Sequence, residues 1–158
     1  MRKILMLSLY VSLFILANLL VGIFGPWITP INALVIIGAD MVIRDRIQYE
    51  NGFSWAIFCC LLAGIITFLI NPETQMIAVA SFVSILLAGI SSALVFKLKN
   101  GNFYSKSYPA NVICAAIDSL VFPYVAFGSI MFDISLMQFI AKVVGATLVL
   151  YIMRKFCK

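Results

Sequence analysis

The chain contains no histidine. Acid–base catalysis therefore lacks its commonest side chain, and a zinc site lacks its usual nitrogen ligand. Charge is also scarce: Asp, Glu, Lys and Arg make up 11% of the 158 residues, against about 25% in a soluble domain. No Walker-type loop, Ser-His-Asp set or CxxC pair is present. We expect no enzyme activity, no cofactor and no metal. The four cysteines are Cys59, Cys60, Cys114 and Cys157, and three of them lie in apolar runs, where a thiol is usually a small buried hydrophobe. No disulfide is expected.

What the chain has in abundance is apolar surface. Hydrophobic residues account for 64% of the sequence, and the mean hydropathy is +1.12. Such a composition belongs to a polytopic membrane protein whose first partner is the lipid bilayer. Lys and Arg (11) outnumber Asp and Glu (6), but nearly all of them sit in short connections and tails. Topology explains that placement without a nucleic-acid partner.

A membrane-crossing helix needs about 20 mostly apolar residues. Six segments meet or approach that length, at about 4–24, 30–46, 54–70, 76–96, 109–131 and 134–153. The N-terminus, MRKILMLSLY, begins like a signal peptide, yet its apolar run continues to Phe24 without an A-x-A-type site, so it is expected to stay as an uncleaved first span. Arg2 and Lys3, then Arg44 and Arg46, then Lys97, Lys99 and Lys106, then Arg154, Lys155 and Lys158 mark every second boundary. The loops between them, at 25–29, 71–75 and 132–134, contain no Lys or Arg. Basic residues stay cytoplasmic. The predicted fold is thus a single all-α domain of six antiparallel transmembrane helices over 1–158, both termini cytoplasmic, multi-pass in a cytoplasmic (inner) membrane. Oligomeric state, including a homodimer, is left open.

Three spans in and three spans out also match a 3+3 inverted repeat. Spans two and five begin alike, with Pro30-Ile31-Asn32 and Pro109-Ala110-Asn111, and Asp40 and Asp118 follow at offsets that differ by one residue. Matching Pro-interrupted spans in two halves are the best sequence pointer to a transporter's central site. Small residues recur on several spans, among them Gly38, Ala88, Gly89, Ser92, Gly145 and Ala146, where they let helix backbones approach closely in lipid.

Ionisable side chains inside spans are costly and carry the functional interest. Asp118 and Lys142 lie on the last two spans, roughly 21 Å and 15 Å along their helices from the turn near Phe132, a difference of about one helical turn. They are placed to meet directly or across a ligand; a purely structural ion pair is the alternative. Asn111, Asp118 and Phe122 fall on one helix face. A carboxylate, an amide and a ring in one stripe suit a flat polar heterocycle whose donor edge meets Asp118. Asp40 and Arg44 are four residues apart on the second span, followed by Asp45 and Arg46. That cluster is read as the inner mouth, either as helix end and topology signal or as a gate with ligand contact by Arg44. Asn18, midway along the first span, is read as an interhelical hydrogen bonder. Trp27 and Tyr104 are read as interface anchors.

The stretch GADMVIRDRIQ at 38–48, with Asn111, Asp118, Ser119 and Phe122 of the fifth span and the mid-span Lys142, resembles the vitamin uptake transporter (VUT) family, also called queuosine precursor transporters. The pieces that carry the likeness are the Arg44-Asp45 pair and the Asp118-Ser119 pair followed by Phe122. The hydropathy plan covers the whole chain, and these motifs cover about a fifth of it. The resemblance implies import of 7-cyano-7-deazaguanine or a related deazapurine, with Arg44, Asp45, Asn111, Asp118 and Lys142 at the site. The chain is more compact than the longer members, and Asp40 is outside the family pattern. The alternatives left open are a substrate-capture subunit that needs a partner complex, and a small membrane effector or scaffold that moves nothing.

Overall fold

A computed structural model describes residues 2–70 and 75–156. All regular structure among the described residues is helical: α1 (Arg2–Phe24), α2 (Pro26–Asn51), α3 (Phe53–Ile70), α4 (Gln75–Leu98), α5 (Phe103–Phe127) and α6 (Phe132–Phe156). Five of these are long and apolar enough to cross a membrane. The sixth, α3, has 18 residues and reaches about 27 Å, the short end of the spanning range. The chain is an all-α, multi-pass membrane bundle. The turn predicted over 71–74 and the predicted basic tail at Cys157 and Lys158 lie outside the described residues.

Helix ends follow local chemistry more than hydropathy. The fifth helix was expected over 109–131, but it begins at Phe103, because the Asn102 side chain caps it by accepting from the Ser105 backbone N–H at 3.0 Å. It stops at Phe127, where Gly128 takes the left-handed conformation at φ 72° and donates its N–H to the Tyr124 carbonyl. Pro109 therefore sits inside the helix. The second span was expected to end near residue 46. It continues to Asn51, because Arg46 pairs with Glu50 at 2.6 Å one turn on, and a single glycine, Gly52 at φ 91°, then reverses the chain into α3.

The first half of α2 is irregular. A 3₁₀ turn (Pro26–Ile28) and one α turn (Thr29–Asn32) lead into a π turn (Ala33–Ile37) before the regular stretch Gly38–Asn51. Pro26 and Pro30 have no N–H to continue a helical ladder. The π turn brings the Leu34 carbonyl against Gly145 of α6, so closely that a Cβ on Gly145 would overlap it, and a Cβ on Gly38 would lie 2.8 Å from the Ala146 backbone nitrogen. The α2 and α6 backbones thus cross with no side chain between them.

Packing shows the helices running alternately. Val21, Ala80 and Phe122 cluster with Ile28, Ile77 and Phe127, joining the end of α1, the starts of α2 and α4, and the end of α5. At the other end Val42, Phe96, Phe103 and Leu150 cluster together. Arg46, Lys106, Arg154 and Lys155 gather there: Arg46 lies over the Phe103 ring, Lys106 over the Phe96 ring, and Arg154 and Lys155 close α6. We call this the basic end. The two Pro-x-Asn segments lie toward opposite ends, although Asn32 bonds the Ala17 carbonyl and Asn111 bonds Ser107. Trp27 is exposed at the far end.

Candidate functional site

Residues Ser81, Ser84, Ala88 and Ser92 repeat at intervals of 3, 4 and 4 along α4 and are all buried. Such spacing sets them on one face, and their small size leaves room along that face for the longer polar side chains of α2, α5 and α6. Two connected groups of buried polar residues fill that room.

The first group surrounds Asp118. Lys142 Nζ lies 2.7 Å from Asp118 Oδ2, and Ser84 Oγ donates to Asp118 Oδ1. Lys142 also donates to Ser119 Oγ and to Gln138 Oε1, both at 3.1 Å, and Gln138 Nε2 donates to Thr29 Oγ1 at 2.9 Å. Every hydrogen of the ammonium thus has an acceptor, as a cation out of reach of water requires. Pro123, one turn beyond Ser119, has no N–H for the Ser119 carbonyl, so α5 is loosened beside the ion pair.

Asp118 and Lys142 border a cavity of about 40 Å³, together with Phe14, Asn18, Asn32, Ser81, Phe122 and Gln138. That space admits a few waters at most. A bicyclic ligand would enter only when the helices part, so this is a closed arrangement. Ser81 Oγ donates to Asn18 Oδ1 at 2.5 Å, which makes Asn18 the interhelical bonder its position suggested. Two lining amides are left half-used: Asn18 Nδ2 and Asn32 Oδ1 are buried without a hydrogen-bond partner. The cavity therefore offers one unspent donor and one unspent acceptor beside a carboxylate, with Phe14 and Phe122 as apolar walls.

The second group surrounds Arg44. Its Nη2 donates to Asp45 Oδ1 and to Ser92 Oγ, both at 3.1 Å, and Nη1 donates to Cys114 Sγ at 3.2 Å. Ser107 Oγ donates to Asp45 Oδ2 at 2.5 Å, and Asn111 Nδ2 donates to Ser107 Oγ at 3.1 Å. Arg44 and Asp45 are only 4% and 1% exposed. They do not form a mouth but lie inside the bundle, because α2 runs on past them to Asn51.

Of the six site residues expected from sequence, Asp118, Lys142 and Phe122 meet at the cavity, while Arg44, Asp45 and Asn111 meet in the second group. The expectation that Asn111 and Asp118 read one ligand together is corrected here. Residues seven apart on a helix share a bearing but differ by about 10 Å in height, and that height sets Asn111 beside Asp45 and outside the cavity wall. Ser84, Gln138, Thr29 and Ser81 escaped the sequence reading, whereas Asn32 stood in the Pro30-Ile31-Asn32 segment that the repeat singled out. Gln138 could have been found, standing one turn before Lys142 in a long apolar span. Cys59 and Cys114 are buried free thiols.

No family model, curated protein or solved structure matches the chain.

Proposed function

We propose that this membrane protein is a transporter of the cytoplasmic membrane that imports a queuosine precursor, 7-cyano-7-deazaguanine or a related deazapurine. The observation that carries the proposal is the set of polar groups on the cavity wall. Asp118 pairs with Lys142 at 2.7 Å, and Asn18 Nδ2 and Asn32 Oδ1 have no protein partner. A guanine-type edge has adjacent N–H donors for a carboxylate, a lactam carbonyl for an amide donor and a pyrrole-type N–H for an amide acceptor. Phe14 and Phe122 supply faces for stacking. The resemblance of the Arg44-Asp45 and Asp118-Ser119 segments to the VUT family points to the same ligand class.

The mechanism is alternating access. In the closed state Ser84 and Lys142 satisfy Asp118, and the cavity is too small for the ligand. Opening toward either end widens it, the ligand's donors replace Ser84 at Asp118 Oδ1, and Lys142 stays paired with Oδ2 throughout. A binding screen on the purified chain tests this. At a ligand concentration about 100 times its dissociation constant, a ligand that binds only the folded protein stabilises it by about 2.7 kcal/mol. Deazapurines should raise the unfolding temperature, and adenine and unrelated vitamins should leave it unchanged. No shift with any deazapurine would refute the proposed substrate. Transport by the chain alone in liposomes would separate a transporter from a capture subunit or a scaffold.

A further inference from the structure

Asp40 is a buried carboxylate that neither polar group employs. It is 3% exposed, and its Oδ1 has no hydrogen-bond partner. Its height follows from the helices around it. Arg44 on α2 touches Cys114 on α5 at 3.2 Å. Asp40 is one turn from Arg44, and Asp118 is one turn from Cys114. The two helices run in opposite directions, so both steps lead away from the basic end and bring the two carboxylates to one level. The charges acting on Asp40 are Arg44 on its own helix and Asp118 across on α5, and Asp40 acts in turn on the Cys59 thiol of α3. Lys142 is engaged by Asp118, and Asp45 by Arg44 and Ser107.

Among the described residues the bundle encloses two buried carboxylates, Asp40 and Asp45, and one partly buried carboxylate, Asp118. Asp40, Asp45 and Asp118 are matched by Arg44 and Lys142, which are already paired with Asp45 and Asp118. One carboxylate is left over. An ionised, unpaired carboxylate in a low-dielectric interior is strongly disfavoured, and it takes up a cation or a proton instead. Asp40 is thus one turn from Arg44, whose chain through Asp45, Ser107 and Asn111 leads toward the basic end, and level with Asp118, which borders the cavity.

We propose that Asp40 is a proton-binding site that couples proton movement to the transport cycle. It carries a proton while the bundle is closed, which makes the cluster neutral. As one end opens it takes that proton from water, forming a carboxyl O–H bond; as the other end opens the bond breaks and the proton returns to water along the Arg44 side. No other reactant is needed, and one proton moves per cycle. This inference rests on the transport reading above, and two measurements keep the two separable.

The first is infrared spectroscopy of the full chain in lipid nanodiscs at neutral pH. The carbonyl stretch of a buried, protonated carboxylic acid should be present in the wild type and in Asp118→Asn, and absent in Asp40→Asn. Its absence from the wild type, or its survival in Asp40→Asn, overturns the proton site whatever the protein transports. The second uses proteoliposomes and labelled 7-cyano-7-deazaguanine. Counterflow reads transport without regard to energy source, and accumulation under an imposed pH gradient reads coupling. One proton per substrate gives up to about tenfold accumulation per pH unit. Asp40→Asn should keep counterflow and lose the response to the gradient. Wild-type counterflow with accumulation indifferent to pH, or driven by a sodium gradient instead, overturns the coupling and leaves transport standing. If the wild type shows no counterflow, transport and coupling both fail, and the infrared band alone decides whether Asp40 is protonated.

Discussion

Lys142 Nζ and Asp118 Oδ2 face each other at 2.7 Å inside the bundle, from the two helices that flank the 128–131 turn. A buried pair of this kind contributes little net stability compared with apolar residues of similar volume, yet breaking it from one side costs about 3 to 5 kcal/mol. Structural and functional roles can therefore be told apart. Lys142→Met should destabilise the chain by that amount, while the double variant Asp118→Asn with Lys142→Gln should regain most of it. Uptake should be lost in all three backgrounds: Asp118→Asn, Lys142→Met and the double variant. Thermal unfolding and uptake measured side by side check this, and a double variant that transports normally would reduce the pair to a structural device.

Ser84 Oγ occupies Asp118 Oδ1 in the closed state. If a ligand donor must displace it, Ser84→Ala removes a competitor. The ligand-free protein should then lose about 1 to 3 kcal/mol, the usual cost of leaving a buried acceptor unsatisfied, while affinity for 7-cyano-7-deazaguanine should rise. Binding titrations on the purified variant report the second effect. Weaker binding would mean that Ser84 helps hold the ligand and does not stand in for it.

Arg44 spreads its guanidinium over Asp45, Ser92 and Cys114. A lysine keeps the charge but cannot present donors in that fork. Arg44→Lys should cost about 1.5 to 3 kcal/mol, the range for hydrogen bonds to a charged group, even though net charge is unchanged. Ser107→Ala, which frees Asp45 Oδ2, should be destabilising through the same group. Because the two act in one network, their combined effect in a double-mutant cycle should be less than additive. Full additivity would show that Arg44 and Ser107 hold Asp45 independently.

The sequence made the bundle legible because lipid leaves so few options. Hydropathy located the spans, and the alternation of Lys and Arg matched the basic end at which Arg46, Lys97, Lys106 and Arg154 gather. Charge reach and helix rise also brought Asp118 to Lys142. What escaped was height and neighbourhood. Asn111 shares a bearing with Asp118, and no periodicity shows that α2 delivers Asp45 to it two turns away. Ser84 and Thr29 are unremarkable as letters and matter only because α4 and α2 bring them to Asp118 and Gln138. The π turn at Ala33–Ile37 left no sequence mark beyond the prolines before it, since it answers to the close passage of Gly145.

That passage yields a sharp contrast between glycines. A Cβ on Gly145 would meet the backbone carbonyl of Leu34, and one on Gly38 would meet the α6 backbone at 2.8 Å. Backbone cannot rotate aside as a side chain can, so Gly145→Ala and Gly38→Ala must push α2 and α6 apart. Overpacking of this kind costs about 1 to 3 kcal/mol, and more where nothing can relax. Gly89 has only Arg44 Nη1 nearby, at 3.9 Å, which is ordinary contact with the tip of a long side chain. Gly89→Ala should thus be neutral or slightly stabilising, since alanine favours the helix by about 0.8 to 1 kcal/mol. Melting temperatures of the three variants in one detergent decide the matter. The same displacement of α2 would also carry Thr29 away from Gln138, so Gly145→Ala should impair uptake more than its loss of stability accounts for. Equal tolerance of alanine at 145 and 89 would show that the two backbones do not cross where Leu34 meets Gly145.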